Sequence, residues 1–126
     1  MVERLTPPGV PTPRGPYSPA VRAGDFIFVA GQVPVDPITD KMSSGDIGHE
    51  TRVVLNNVRR ILEGAGATMA DVVRVGVYIK DGADFAKMNE VYAEFFGNDK
   101  PARTTIVNGF VADIKVEIDC IAYSPK

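Results

Sequence analysis

Two stretches near the C-terminus decide the reading of the fold: Pro101-Ala102-Arg103-Thr104-Thr105-Ile106-Val107 and Lys115-Val116-Glu117-Ile118-Asp119-Cys120-Ile121-Ala122. Both are rich in β-branched residues and flank Asn108-Gly109, a strong turn signal, so both read as strands that pair across that turn. Each carries a charge that a strand interior does not need. Arg103 follows a proline at the mouth of the first strand, and Glu117 interrupts the apolar alternation of the second. Paired strands would put a guanidinium beside a carboxylate, an arrangement suited to a small carboxylated substrate. The plainer reading is structural, with Arg103 paired to Asp99 or Glu117, or Glu117 to Lys115.

Reading outward, Val72 to Lys80 alternates Val73, Val75, Val77 and Ile79 with Arg74, Gly76, Tyr78 and Lys80, the period of a strand. After the Asp81-Gly82 turn, Asp84 is the expected cap of a helix carrying Phe85, Met88, Val91, Tyr92, Phe95 and Phe96 on its apolar side and ending near Gly97. An earlier helix follows from Thr51, Val54, Leu55, Val58, Ile61, Leu62 and Ala65, with Asp46 as candidate N-cap and Gly64 or Gly66 as terminator. Phe26 to Val33 is a nearly continuous apolar run, read as a strand buried on both faces, with Gly31 marking a bulge or a close approach. Residues 34–46 are rich in turn formers and read as an irregular connection. Prolines 16 and 19 around Tyr17 suit the start of an edge strand. Residues 1–13, with four prolines, read as an extended and loose arm.

The order strand, strand, helix, strand, helix, strand, strand predicts an α+β domain spanning 1–126, with two helices packed on one face of a mixed β-sheet. Enough apolar residues remain to cover the other face, which predicts a homo-oligomer. At 126 residues with 44% hydrophobic and 24% charged residues, the chain can bury a core of its own. The formal net charge of −2 carries no footprint for nucleic acid or an anionic membrane. Cys120 is the single cysteine, which fits a reduced, cytoplasmic setting. No apolar run suggests a signal peptide or a membrane span.

In order and spacing, Gly15-Pro16-Tyr17-Ser18, Ala30-Gly31-Gln32-Val33-Pro34, Asn89-Glu90-Val91-Tyr92 with Phe95-Phe96, Pro101-Ala102-Arg103 and Val116-Glu117-Ile118-Asp119 resemble the RidA family, also called YjgF. The resemblance covers about residues 14–124. It implies a chorismate-mutase-like fold and a homotrimer with inward-facing sheets and clefts between subunits. It also implies hydrolysis of reactive 2-enamino or 2-imino acids to 2-oxo acids and ammonia, with no metal or organic cofactor. Such compounds are released by dehydratases that use pyridoxal phosphate.

Carried over residue by residue, the resemblance makes Arg103 the carboxylate-binding arginine, for which a planar guanidinium is better suited than lysine. Glu117 becomes the acid near the reacting carbon. A partly buried carboxyl with a raised pKa can deliver a proton to nitrogen and activate water. Tyr17, Asn89 and the backbone N–H of Gly31 line the cleft. Their plainer readings are an aromatic packed between prolines, a polar helix margin and a simple bulge. Two positions depart from the family pattern: Ala30 stands where serine is common, and Thr105 where cysteine is common. Thr105 or a backbone amide would then take over the hydrogen bond that Ala30 cannot make, or activity falls; one such bond is worth about 1 kcal/mol. Val111 stands where proline is frequent. Cys120 alternates with Val116, Ile118 and Ala122 and reads as a buried thiol, and His49 has no partners for a metal site. A binding or regulatory protein that retains only the carboxylate site is the main alternative, favoured by Ala30. RNA cleavage is a further one, disfavoured by the acidic balance.

Overall fold

A computed structural model describes every residue from Met1 to Lys126. The main sheet has six strands: β1 (Val2–Leu5), β2 (Ala20–Ala23), β3 (Phe26–Gln32), β6 (Val72–Ile79), β7 (Ala102–Val107) and β8 (Val116–Tyr123), in the order β1-β2-β3-β8-β6-β7. Every pairing is antiparallel except β6 with β7. Both helices, α1 (Ile47–Gly64) and α2 (Phe85–Phe96), belong to one layer: they pack on each other, and α1 lies against β3 and β8. The α+β architecture with two helices on one face of a mixed sheet is thus the one expected.

Helix α1 starts four residues before its first expected apolar position. Asp46 caps it, accepting a hydrogen bond from the His49 N–H at 2.8 Å. Thr51, Val54, Leu55, Val58, Ile61 and Leu62 are all fully buried, as their spacing predicts. Asp84 does not cap α2. A short 3₁₀ turn, Gly82–Asp84, leads into the helix, and the capping bond runs from the Ala83 N–H to the Asp81 carboxylate at 2.9 Å. Gly97, at φ 55°, ends α2 in a conformation that residues with a Cβ rarely take. From the sheet, Ile27, Val29, Val75, Val77, Ile118, Cys120 and Ala122 meet this helical layer in one core.

The two C-terminal strands do not pair with each other, which corrects the expected hairpin. Strand β6 lies between them. The crossover from β6 through α2 returns β7 parallel to β6 on its outer side, so the closing strand must pass to the inner side. Residues 108–115 make that passage. They are anchored by buried Ile114 and by the fully buried Glu50 carboxylate, which accepts from the Lys115 backbone N–H at 2.8 Å and pairs with its ammonium at 3.3 Å.

Strand β3 is buried on one face only, another correction. Ile27 and Val29 face the helices, whereas Phe26 and Phe28 are 41% and 44% exposed on the open face of the sheet, beside Tyr123 at 46%. Two bulges shift the alternation. One between Val72 and Arg74 turns Val73 outward, so Val72 takes its place in the core. The other lies at Ala30 and Gly31. Residues 34–46 contain a small ribbon, β4 (Val35–Asp36) with β5 (Lys41–Met42), and are less irregular than expected. The N-terminal arm is extended but not loose: β1 pairs along β2, and Pro7 and Pro11 are buried. No helix is long and apolar enough to cross a membrane.

Candidate active site

The sheet register sorts the expected site residues onto two faces. Arg103 is level with Val75 on β6, and Val75 with Cys120 on β8, so Arg103 points to the helical side. Thr105, level with Val77, points the same way. Glu117 is level with Tyr78, on the open side. Two strand spacings, roughly 9–10 Å, and a step of three residues, roughly 10 Å, also separate Arg103 from Glu117. The guanidinium and carboxylate expected on neighbouring strands therefore do not meet within one chain.

The helical-side group is built where β7, the outermost strand, passes α2. The Arg103 guanidinium stacks on Tyr92, 4.7 Å from the ring centroid, and lies 5.6 Å from that of Phe85. It forms no ion pair with Asp99, Glu117 or any other acid. The Tyr92 hydroxyl, Asn89 Oδ1 and Thr105 Oγ1 are buried without a hydrogen-bond partner. Burial raises the Tyr92 pKa, and the Arg103 charge works against the rise. Asn89, Tyr92 and Arg103 line an open groove of ≈ 420 Å³ that continues to Lys100 and Pro101. A cation with no counter-ion, flanked by unpaired buried polar atoms, is chemically unfinished, because such groups are ordinarily satisfied. A bound carboxylate would pair with Arg103 and accept from the Tyr92 and Thr105 hydroxyls, and a neighbouring amino or imino N–H would supply the donor that Asn89 Oδ1 lacks.

The open-side group gathers at the β3 bulge. Three steps along β3, Val29 to Gln32, span two along β8, Cys120 to Ile118, so one residue is extra. The bulge brings Gly31 against the Glu117 carboxylate, which occupies the space a Cβ on residue 31 would need. Ala30 is tied back by its N–H to Pro19 O at 3.0 Å. Tyr17 borders a small cleft with Gly31 and is half exposed rather than packed between prolines; its hydroxyl accepts from the Arg14 N–H at 3.1 Å. Burial, reinforced by the nearby Asp119 charge, raises the Glu117 pKa above the ordinary glutamate value. Thr105 belongs to the other group, so within one chain it does not replace the hydroxyl missing at Ala30.

Sequence reasoning passed over Tyr92 and Tyr78 and gave Asp119 no role. Tyr92 follows the apolar spacing of α2 and looks like core; the only sign was a hydroxyl in an otherwise apolar stripe. Asp119 shares a strand face with Glu117, a signal present in the alternation, and accepts from the Tyr78 hydroxyl at 2.9 Å. Cys120 is buried, its thiol pushed up to about 12 by burial, and inert as a nucleophile. His49 is tied to Ser43 at 2.8 Å, and no cluster of His, Cys, Asp or Glu is placed to hold a metal ion.

A profile of the endoribonuclease L-PSP family matches residues 9–124. The chain belongs to this family, the RidA (YjgF) family. A RutC family protein of Pyrococcus horikoshii is 52% identical over 98% of both chains. The 3-aminoacrylate deaminase RutC of Acinetobacter baylyi is 37% identical, over 96% of this chain and 97% of its own. The crystal structure of Escherichia coli TdcF with bound serine superposes with a TM-score of 0.90 at 34% identity, covering 96% of this chain and 98% of that one. The RidA family resemblance read from the short motifs is thus upheld over nearly the whole chain.

Proposed function

We infer that the chain is a cytoplasmic deaminase that hydrolyses reactive 2-enamino or 2-imino acids to 2-oxo acids and ammonia, in clefts between the subunits of a homotrimer. The observation that carries this reading is the unpaired Arg103 on its aromatic support, surrounded by unsatisfied polar atoms. A deaminase and a serine-bound structure among the relatives support a small amino-acid-like substrate. The subunit cleft is supported by the two separated groups: Arg103, Asn89 and Thr105 lie near the sheet edge, while Glu117, Gly31, Ala30 and Tyr17 lie toward an apolar open face that a second copy would cover.

In such a cleft Arg103 of one subunit holds the substrate carboxylate through two charged hydrogen bonds. Glu117 of the next faces the C=N group. Its proton passes to nitrogen; as water adds to carbon the carboxylate takes one water proton and hands it to the same nitrogen, then takes the proton of the new hydroxyl as the C–N bond breaks, releasing ammonia and the 2-oxo acid and leaving Glu117 protonated again. The balance is one imine and one water consumed, one oxo acid and one ammonia formed.

The test is a coupled assay in which a threonine dehydratase generates the imine in place and 2-oxobutanoate is followed. Acceleration by this protein that disappears in Arg103→Ala supports the reading; no acceleration with several amino-acid precursors, from folded protein, overturns it. Ala30, which brings no hydroxyl to the bulge, favours a second reading as a carboxylate-binding protein without turnover. Binding of a 2-oxo acid that Arg103→Ala abolishes, in the absence of turnover, would support that second reading. The RNA cleavage in the family's description finds no basic composition here, and a steep salt dependence of RNA binding would be needed to support it.

A further inference from the structure

On the open face, Glu117 has a neighbour that the reaction above leaves unused. Asp119 lies two residues along β8 on the same side, and its carboxylate accepts the Tyr78 hydroxyl from β6 at 2.9 Å. The pair sits in a cradle over Gly76. A Cβ there would come within 2.5 Å of Asp119 Oδ1 and 2.9 Å of the Tyr78 oxygen. Tyr78 is the residue level with Glu117, so its ring reaches diagonally past Glu117 to fix Asp119. We propose that Asp119, held by Tyr78 over Gly76, is a positioning residue that keeps a fixed negative charge beside Glu117 and so helps Glu117 retain the proton it delivers in deamination.

No cation of the same chain forms an ion pair with Glu117 or Asp119, and in the proposed cleft the Arg103 that a neighbouring subunit supplies is taken up by the substrate carboxylate. From β3, Gly31 lies against the Glu117 carboxylate. Lys115, two residues away, is drawn to the opposite face by Glu50. Lys80 pairs with Asp113. Arg74, farther along β6, donates to Thr104 Oγ1 at 2.8 Å and forms no ion pair with either acid, although its charge reaches Tyr78. The Tyr78 pKa is raised, chiefly by its bond to Asp119, so the phenol remains a donor to that carboxylate. Gly76 has a role in this arrangement that its place in a regular strand would not suggest, since only glycine leaves room for both partners.

The proposal rests on the deaminase reading, and its test separates the two. The Glu117 carboxyl is titrated by carbon NMR in the assembled protein and in Asp119→Asn, which keeps an acceptor for Tyr78 but removes the charge. Asp119→Ser serves the same purpose should the first variant fail to fold. The expected result is a Glu117 titration lowered by about one pH unit, a tenfold fall in proton affinity, with the alkaline limb of kcat/KM moving down by the same amount. An unmoved titration in a folded variant overturns the proposal whatever the turnover. A titration that moves in a protein with no imine turnover even as wild type overturns the deaminase reading and, with it, the catalytic part of this proposal.

Discussion

Arg103 is a charge without a partner. Its guanidinium lies over Tyr92 and near Phe85, and no acid pairs with it. Lysine cannot reproduce that planar fork. Arg103→Lys is therefore expected to raise KM for the imine about tenfold or more with a smaller effect on kcat, measured in the coupled assay. Glu117 gives a prediction with a definite sign. Its native pKa lies above the ordinary 4.5, chiefly because burial disfavours the charge. Below the unfolded value both states hold the proton, and the group favours neither. As the pH rises from there through the native value, the unfolded chain ionises first, and stability is lost. Glu117→Gln should thus raise Tm at neutral pH and have much less effect near pH ~4, while lowering kcat by about 100-fold. An equal effect on Tm at both pH values would show that ionisation is not the cause. At this scale the sequence disclosed the two charged residues, because a charge inside an apolar strand stands out. It concealed Tyr92, because an aromatic residue at helical spacing looks the same in a core as beneath a guanidinium.

The β3 bulge joins backbone geometry to chemistry. It adds one residue to the strand and lays Gly31 against the Glu117 carboxylate. Gly31→Ala should push that carboxylate aside. The expected outcome is an unchanged circular dichroism spectrum with kcat lowered about tenfold or more, since the strand pairing on either side of the bulge is untouched. A glycine inside an apolar run announced this feature in advance. The strand order was less legible. Asn108-Gly109 has the composition of a tight hairpin turn, yet it begins an eight-residue passage from β7 past β6 to β8. Local turn chemistry carries no information about which strand will lie between two others. That is set by the crossover through α2, whose parallel return occupies the outer side of β6. The Asp84 cap failed for a related reason: Asp81 captured the preceding turn first, so α2 is entered from a 3₁₀ turn.

For the whole molecule, the main physical fact is a sheet with one face covered by helices and the other carrying Phe26, Phe28 and Tyr123 in the open. A continuous apolar run looks the same in sequence whether its second face packs against its own chain or against another copy, and this explains the misreading of β3 as buried on both faces. The same face brings Glu117 and Gly31 near the apolar surface while Arg103 stays on the other side of the sheet. On the proposed function, neither group acts alone, and subunits must supply them to each other. The most direct measurement uses Arg103→Ala and Glu117→Gln, each nearly inactive by itself, co-assembled in equal amounts and assayed for imine hydrolysis. In a cyclic assembly every cleft takes one group from each of two neighbours. Random mixing therefore restores both intact residues in about a quarter of the clefts. Recovery to about a quarter of wild-type activity is the predicted result. No recovery, from mixed oligomers shown to contain both variants, would contradict a site shared between subunits.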